Sequence, residues 1–165
     1  PTMSLIKVVS GAQTGVDIAA LEAAKECGLK TGGWMPEGFL TESGPRPEYA
    51  ELYGLQECNT TEYRRRTEVN VACASAVLIL EIGTVKDSRN LTGGTALTAR
   101  LAAARQLLVM GLDDPLRFTV VVPWLVSLDG PLMVAGPRES KRPGIGAKAK
   151  KFLIEVFRLA KESPP

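Results

Sequence analysis

A chain of 165 residues, 45% hydrophobic and 23% charged, is long enough to bury a sizeable core, and residues 1–165 read as one ligand-binding domain. A formal net charge of +2 gives no ground for expecting a nucleic-acid partner, and no apolar run reaches membrane-spanning length. Histidine is absent, which removes the usual general base and the commonest metal ligand, while Cys27, Cys58 and Cys73 form no CxxC pair and read as reduced thiols of a cytoplasmic protein.

In chain order, residues 5–9 are an apolar-rich run expected of a strand buried on both faces. Alanine-rich helical spacing follows over 15–27, with Gly28 placed as its C-terminal cap. Residues 30–35 form a strand diluted by Gly32 and Gly33. Residues 36–59 are rich in Gly, Pro and Glu and read as one long loop. A helix is expected over 60–74 and a buried strand over 76–82 (AVLILEI). After a polar loop at 83–94 come a helix over 95–106 and a strand over 107–112. The stretch FTVVVPWLVSLDG has β-branched residues that favour a strand, but Pro123 forbids a central one, so an irregular helix is expected. A last strand at 131–135 and an amphipathic helix at 146–161 complete the chain. Strands separated by helices predict an α/β, three-layer, doubly wound Rossmann-like fold around a mainly parallel sheet.

In such sheets ligands bind beyond the carboxyl ends of strands, where connections diverge. Three loops fall in that position. The first, Gly11-Ala12-Gln13-Thr14-Gly15, is neither a dinucleotide fingerprint nor a P-loop. Thr14 with Asp17 fits a capping box, which leaves Gly11 and Gln13 without a structural reason. The second loop contains Thr92, Gly93, Gly94 and Thr95 directly before a helix whose first turn has no carboxylate. Its free N–H groups and hydroxyls predict a phosphate or anion site.

The third loop is Gly136-Pro137-Arg138-Glu139-Ser140, in which Arg138 stands at a strand end and suits two-pronged phosphate binding. The basic residues after it, Lys141, Arg142, Lys148, Lys150 and Lys151, read as a solvated face. On the helix over 60–74, Arg66 and Asn70 lie four apart and share a face, and asparagine inside a helix needs a partner for its amide. Arg64 and Glu68 read as a surface ion pair, and Trp34 and Trp124 as core side chains.

Together these segments resemble the molybdenum-cofactor (Moco) carrier family, Rossmann-like proteins related to the lysine-decarboxylase-like nucleotide-binding group. The matching pieces are SGAQTGVDIAALEAA, GGWMPEG, Tyr63 with RTEVNV (66–71), VLIL (77–80), LTGGTALT (91–98), VAGPRES and PGIG, which span nearly the whole chain. Family members commonly carry glycine where Ala12 stands and an aromatic residue where Val69 stands. The resemblance implies a non-catalytic carrier of molybdenum cofactor (molybdopterin) or a related phosphorylated pterin or nucleotide, working as a homo-oligomer, a dimer or tetramer. Thr92, Gly93, Gly94, Thr95 and Arg138 would hold phosphate. Gln13, Asp17 and Asn70 would read hydroxyl or amine groups, with Gly11, Ala12, Thr14, Arg66, Glu139 and Ser140 completing the site. No protein metal ligands are expected, because the cofactor's own dithiolene would hold the metal. Enzymes of the broader group carry a glutamate after their glycine-rich loop, where this chain has Ala96, Leu97 and Thr98, so no catalytic residue is assigned. The alternative is an enzyme cleaving the N-glycosidic bond of a nucleotide or ADP-ribose-like compound with Glu68 or Asp17.

Overall fold

A computed structural model describes residues 6–84 and 90–163. Six parallel strands form the central sheet: β1 (Lys7–Val9), β2 (Lys30–Met35), β5 (Leu55–Glu57), β6 (Ala76–Glu81), β7 (Gln106–Gly111) and β8 (Leu132–Ala135). Their spatial order is β5-β2-β1-β8-β6-β7, so the last strand in sequence fills the middle of the sheet. Counted outward from β8, the order becomes 4-3-2-1-5-6, a doubly wound arrangement displaced along the chain. A hairpin of β3 (Leu40–Thr41) and β4 (Gly44–Pro45) stands apart from the sheet.

Strand side chains alternate between the two faces with period two. Val8, Leu78, Leu80, Leu132 and Val134 point to a core shared with helices α1 (Val16–Glu26), α5 (Arg117–Val126) and α6 (Ile145–Glu162). Val9, Val77, Ile79, Met133 and Ala135 point to the opposite core, shared with α3 (Tyr63–Ala72) and α4 (Gly93–Leu101). Strands buried on both faces must read as continuous apolar runs, and β6 does so, with all six residues buried. This is the three-layer, parallel, doubly wound fold expected from the sequence.

The expected elements recur with shifts of a few residues at their ends, and β2 keeps its predicted bounds. Residues 36–59 differ from the expectation. They contain a short 3-10 turn, the β3–β4 hairpin, helix α2 (Tyr49–Tyr53) and edge strand β5. The segment around Pro123 is the expected helix, α5. Val121 and Leu125, four apart, are buried in it, and burial of that stripe overrides β-branched propensity. Pro123 lies on the exposed side, where the carbonyl it leaves without a donor faces water.

Because α1 leaves β1 toward one face and α4 follows β6 on the other, connections diverge beside β8. A crevice at the carboxyl ends of β1, β8 and β6 is the geometric result.

Candidate functional site

The crevice is a cavity of about 260 Å³. Gln13 lines it from the β1–α1 connection, Asp17 from the first turn of α1, and Tyr63, Arg66 and Thr67 from α3. Thr92, Gly94, Thr95 and Thr98 line it from the start of α4, and Arg138, Lys141 and Arg142 from the segment after β8. Of the residues expected from sequence, Gln13, Asp17, Arg66, Thr92, Gly94, Thr95 and Arg138 meet around this one space. The polar loop ahead of α4 includes residues 85–89, which lie outside the described residues.

Helix α4 has Thr92 as its N-cap residue, whose side chain makes no capping hydrogen bond, and its first turn has no acidic residue. The positive end of the helix therefore faces the cavity without a protein anion in its own first turn. Gly94 borders the cavity, with open space where a Cβ would stand. Gly93 takes φ +57, and the Lys141 ammonium lies against it, so a side chain there would displace that lysine. Lys141 and Arg142 had been expected on a solvated face. Both are exposed, and the turn before α6 also places them along the cavity. Lys148 and Lys150 do sit on the outer face, paired with Asp113 and Glu22 respectively.

Two carboxylates balance part of this charge. Glu81, at the end of β6, accepts a hydrogen bond from the Ile82 N–H at 2.7 Å and pairs with Arg142 at 3.3 Å. Asp17 pairs with Arg66 at 3.4 Å, both side chains being almost covered. Burial raises the Asp17 pKa, against the opposing pull of Arg66 and the backbone N–H groups of Gln13 and Gly136. Among the described residues, four cations and two carboxylates line the cavity, an excess that favours an anionic occupant. No group of three His, Cys, Asp or Glu that could hold a metal occurs among the described residues.

The remaining expected residues have other work. Asn70 was expected to read a ligand, yet it is fully buried away from the cavity. Its amide accepts from the Trp34 N–H at 2.8 Å and donates to the Trp34 carbonyl at 3.0 Å, fastening α3 to β2. Thr14 is not the helix cap. The chain enters α1 through Gly15 at φ 83, and the Val16 N–H donates to the Pro137 carbonyl at 3.2 Å. A Cβ at Gly15 would collide with that carbonyl, so the approach of two loops dictates glycine here. Thr14 instead accepts from the Glu139 N–H at 3.1 Å and donates to Glu42.

Gly11 leaves room for Arg66, since a Cβ there would overlap its guanidinium. Ala12 is buried at φ 57, a conformation that favours glycine. Glu139 turns from the cavity to cap α6, accepting from the N–H groups of Gly144 at 2.5 Å and Gly146 at 3.0 Å. The Ser140 hydroxyl donates to Glu42 at 2.5 Å. Glu68 stays on the outside of α3, paired with Arg64 at 2.9 Å, and does not line the cavity. That removes it as the acid or base of the alternative enzyme reading.

Sequence reasoning missed Glu81, Thr67 and Thr98 as cavity residues. Glu81 had a usable cue, a lone acid closing a strand otherwise wholly apolar. Thr67 and Thr98 had none, being helix residues whose hydroxyls donate to carbonyls four residues back.

A doubly wound parallel sheet with a cation-rich cleft at its topological switch point places the chain in the Rossmann-like class. Residues 8–157 match the circularly permutated YpsA SLOG family, and the chain belongs to that family. Displacement of the central strand to the end of the sequence agrees with that description. A solved protein of Syntrophus aciditrophicus SB named "Putative molybdenum carrier protein" is 38% identical, with a TM-score of 0.79. The match covers 93% of this chain and 95% of that one. Comparison with curated proteins gives no match.

Proposed function

We propose that the protein is a carrier that holds a phosphorylated ring compound in the cleft at the ends of β1, β8 and β6. Kinship with a protein named as a molybdenum carrier supports molybdenum cofactor as the cargo. The observation that carries the reading is the α4 N-terminus, which lacks a first-turn carboxylate and opens onto a cavity lined by Arg138, Lys141 and Arg142. Thr92, Gly94, Thr95 and these three cations would take the phosphate. Gln13, Asp17 and Arg66 would face the rest of the ligand. The donor set fits such a cargo, with N–H, hydroxyl, ammonium and guanidinium groups for phosphate and, among the described residues, no cysteine or histidine in the lining.

The test is metal analysis and mass spectrometry of protein purified without oxygen. Molybdenum recovered together with a pterin supports the carrier reading, and a nucleotide recovered alone overturns its cargo. Gly94→Asp probes the placement. A side chain there meets no neighbour, so the fold is kept, while its carboxylate faces the incoming anion. Loss of phosphate-ligand binding with an unchanged Tm is expected, and normal binding by the variant would refute the placement.

A further inference from the structure

The anion wall accounts for only part of the cleft. Asp17 from the first turn of α1 and Arg66 from α3 also line it, and their pairing with each other is a poor one. Their one contact, 3.4 Å between Arg66 Nη1 and Asp17 Oδ2, is longer than a good charge-assisted hydrogen bond. Both side chains are about nine-tenths covered, at 11% and 10% exposure. Among the described residues, the buried side-chain polar atom without a partner is Arg66 Nε. An ion pair made this poorly does not repay the desolvation of two charges, so it is a weak structural device. Yet the chain makes room for it, because only a glycine at position 11 lets the guanidinium lie where it does. Tyr63 adds a ring 5.6 Å from that guanidinium and also lines the cavity.

We propose that Asp17 and Arg66 form the ring-reading end of the cleft and select a heterocycle with adjacent N–H donors and a carbonyl acceptor. That is the 2-amino-4-oxopyrimidine edge shared by guanine and pterins. The proposal rests on the reading of the α4 start and Arg138, Lys141 and Arg142 as a phosphate site. Its chemistry follows from what each group can do. An ionised carboxylate only accepts hydrogen bonds and a guanidinium only donates them. A ring amide beside an exocyclic amine offers two N–H groups to Asp17, while the adjoining carbonyl faces Arg66. Adenine offers an amine beside a ring nitrogen lone pair, and that lone pair would be set against a buried carboxylate. A site of buried polar groups rejects the ligand that leaves them unpaired far more strongly than it rewards a small apolar match. Burial raises the Asp17 pKa against Arg66 and the backbone N–H groups of Gln13 and Gly136, so further N–H donors from a ligand would favour the ionised carboxylate.

The test is calorimetric titration of the whole protein with GMP, neopterin monophosphate, AMP and inorganic phosphate. GMP or the pterin phosphate should bind at least about tenfold tighter than AMP, and the tighter of the two identifies the source of the edge. Asp17→Asn should erase that preference while leaving the affinity for inorganic phosphate within about threefold, since only the ring end is altered. Arg66→Lys gives a second variant should Asp17→Asn fail to fold, and it too should lower the preference. Equal affinity for all three organic phosphates overturns the proposal, as does a preference that survives both variants. Failure of inorganic phosphate to bind, with a guanine or pterin preference intact, removes the phosphate wall but leaves the ring end standing.

Discussion

Burial pushes the Asp17 carboxyl up to about 6, against the pull of Arg66 and the backbone N–H groups of Gln13 and Gly136. Between the unfolded value of 3.8 and about 6, the folded chain therefore binds the proton more tightly than the unfolded chain does. Stability from this residue is present below that window and is lost as pH rises through it. The difference is on the order of 2–3 kcal/mol. Asp17→Asn lacks the titration, so the variant should gain on the parent by that amount between pH 4 and pH 7. Urea unfolding at the two pH values measures it, and a constant gap would show that Asp17 is not short of compensation. Glu42 moves the opposite way. Burial raises its pKa, but hydrogen bonds from Ser140 and Thr14 and the Arg138 charge together hold it below the usual range.

Among the elements, the β3–β4 hairpin is tied to the cleft wall by this one residue. Glu42 accepts from the Ser140 N–H at 3.1 Å and the Ser140 hydroxyl, and it pairs with Arg138 at 3.4 Å. Its own N–H donates to the Gln13 side chain at 2.8 Å. Both Gln13 and Arg138 line the cavity, so the hairpin fixes them from outside. Glu42→Ala should cost about 1 kcal/mol of stability and speed hydrogen exchange at the Glu42 and Ser140 amides, with exchange in β6 unchanged. Equal acceleration in β6 would show a global rather than local effect. The segment at 36–59 also marks a limit of reading from sequence. LQE at 55–57 is three residues with no alternation to detect, and β5 exists only because β2 offers an edge at Gly33 to Met35. The long strands and helices were legible because burial imposes their period on the residues themselves.

For the whole molecule, the sheet order decides which residues can meet. Three loops distant in sequence reach one crevice because β1, β8 and β6 are neighbours. Gln13, Thr92, Gly94 and Arg138 could be singled out in advance, since glycine-bearing turns at strand ends have few structural excuses. Asn70 misled, because its partner, the Trp34 backbone, lies 36 residues away and no local pattern points to it. Lys141 and Arg142 read as solvated and are exposed, but their place along the cavity depends on the turn before α6, to which no local pattern points. Four cations at one cleft further predict that phosphate binding weakens steadily with added salt. Titration across an ionic-strength series tests this, and an affinity indifferent to salt would contradict an electrostatic site.

The place of β8 has a consequence in time. During synthesis β1 and β6 leave the ribosome long before the strand that must separate them, so the early chain has two sheet halves and no centre. Arg138, Lys141 and the Pro137 carbonyl that holds the start of α1 arrive with β8 or after it. Cleft and core should therefore appear in one late step. Stalled chains ending before residue 132 should be protease-sensitive and unable to bind phosphate, and both properties should change together once α6 has emerged. The cleft is then also a completion mark, since it closes only once β8 and the segment after it are in place.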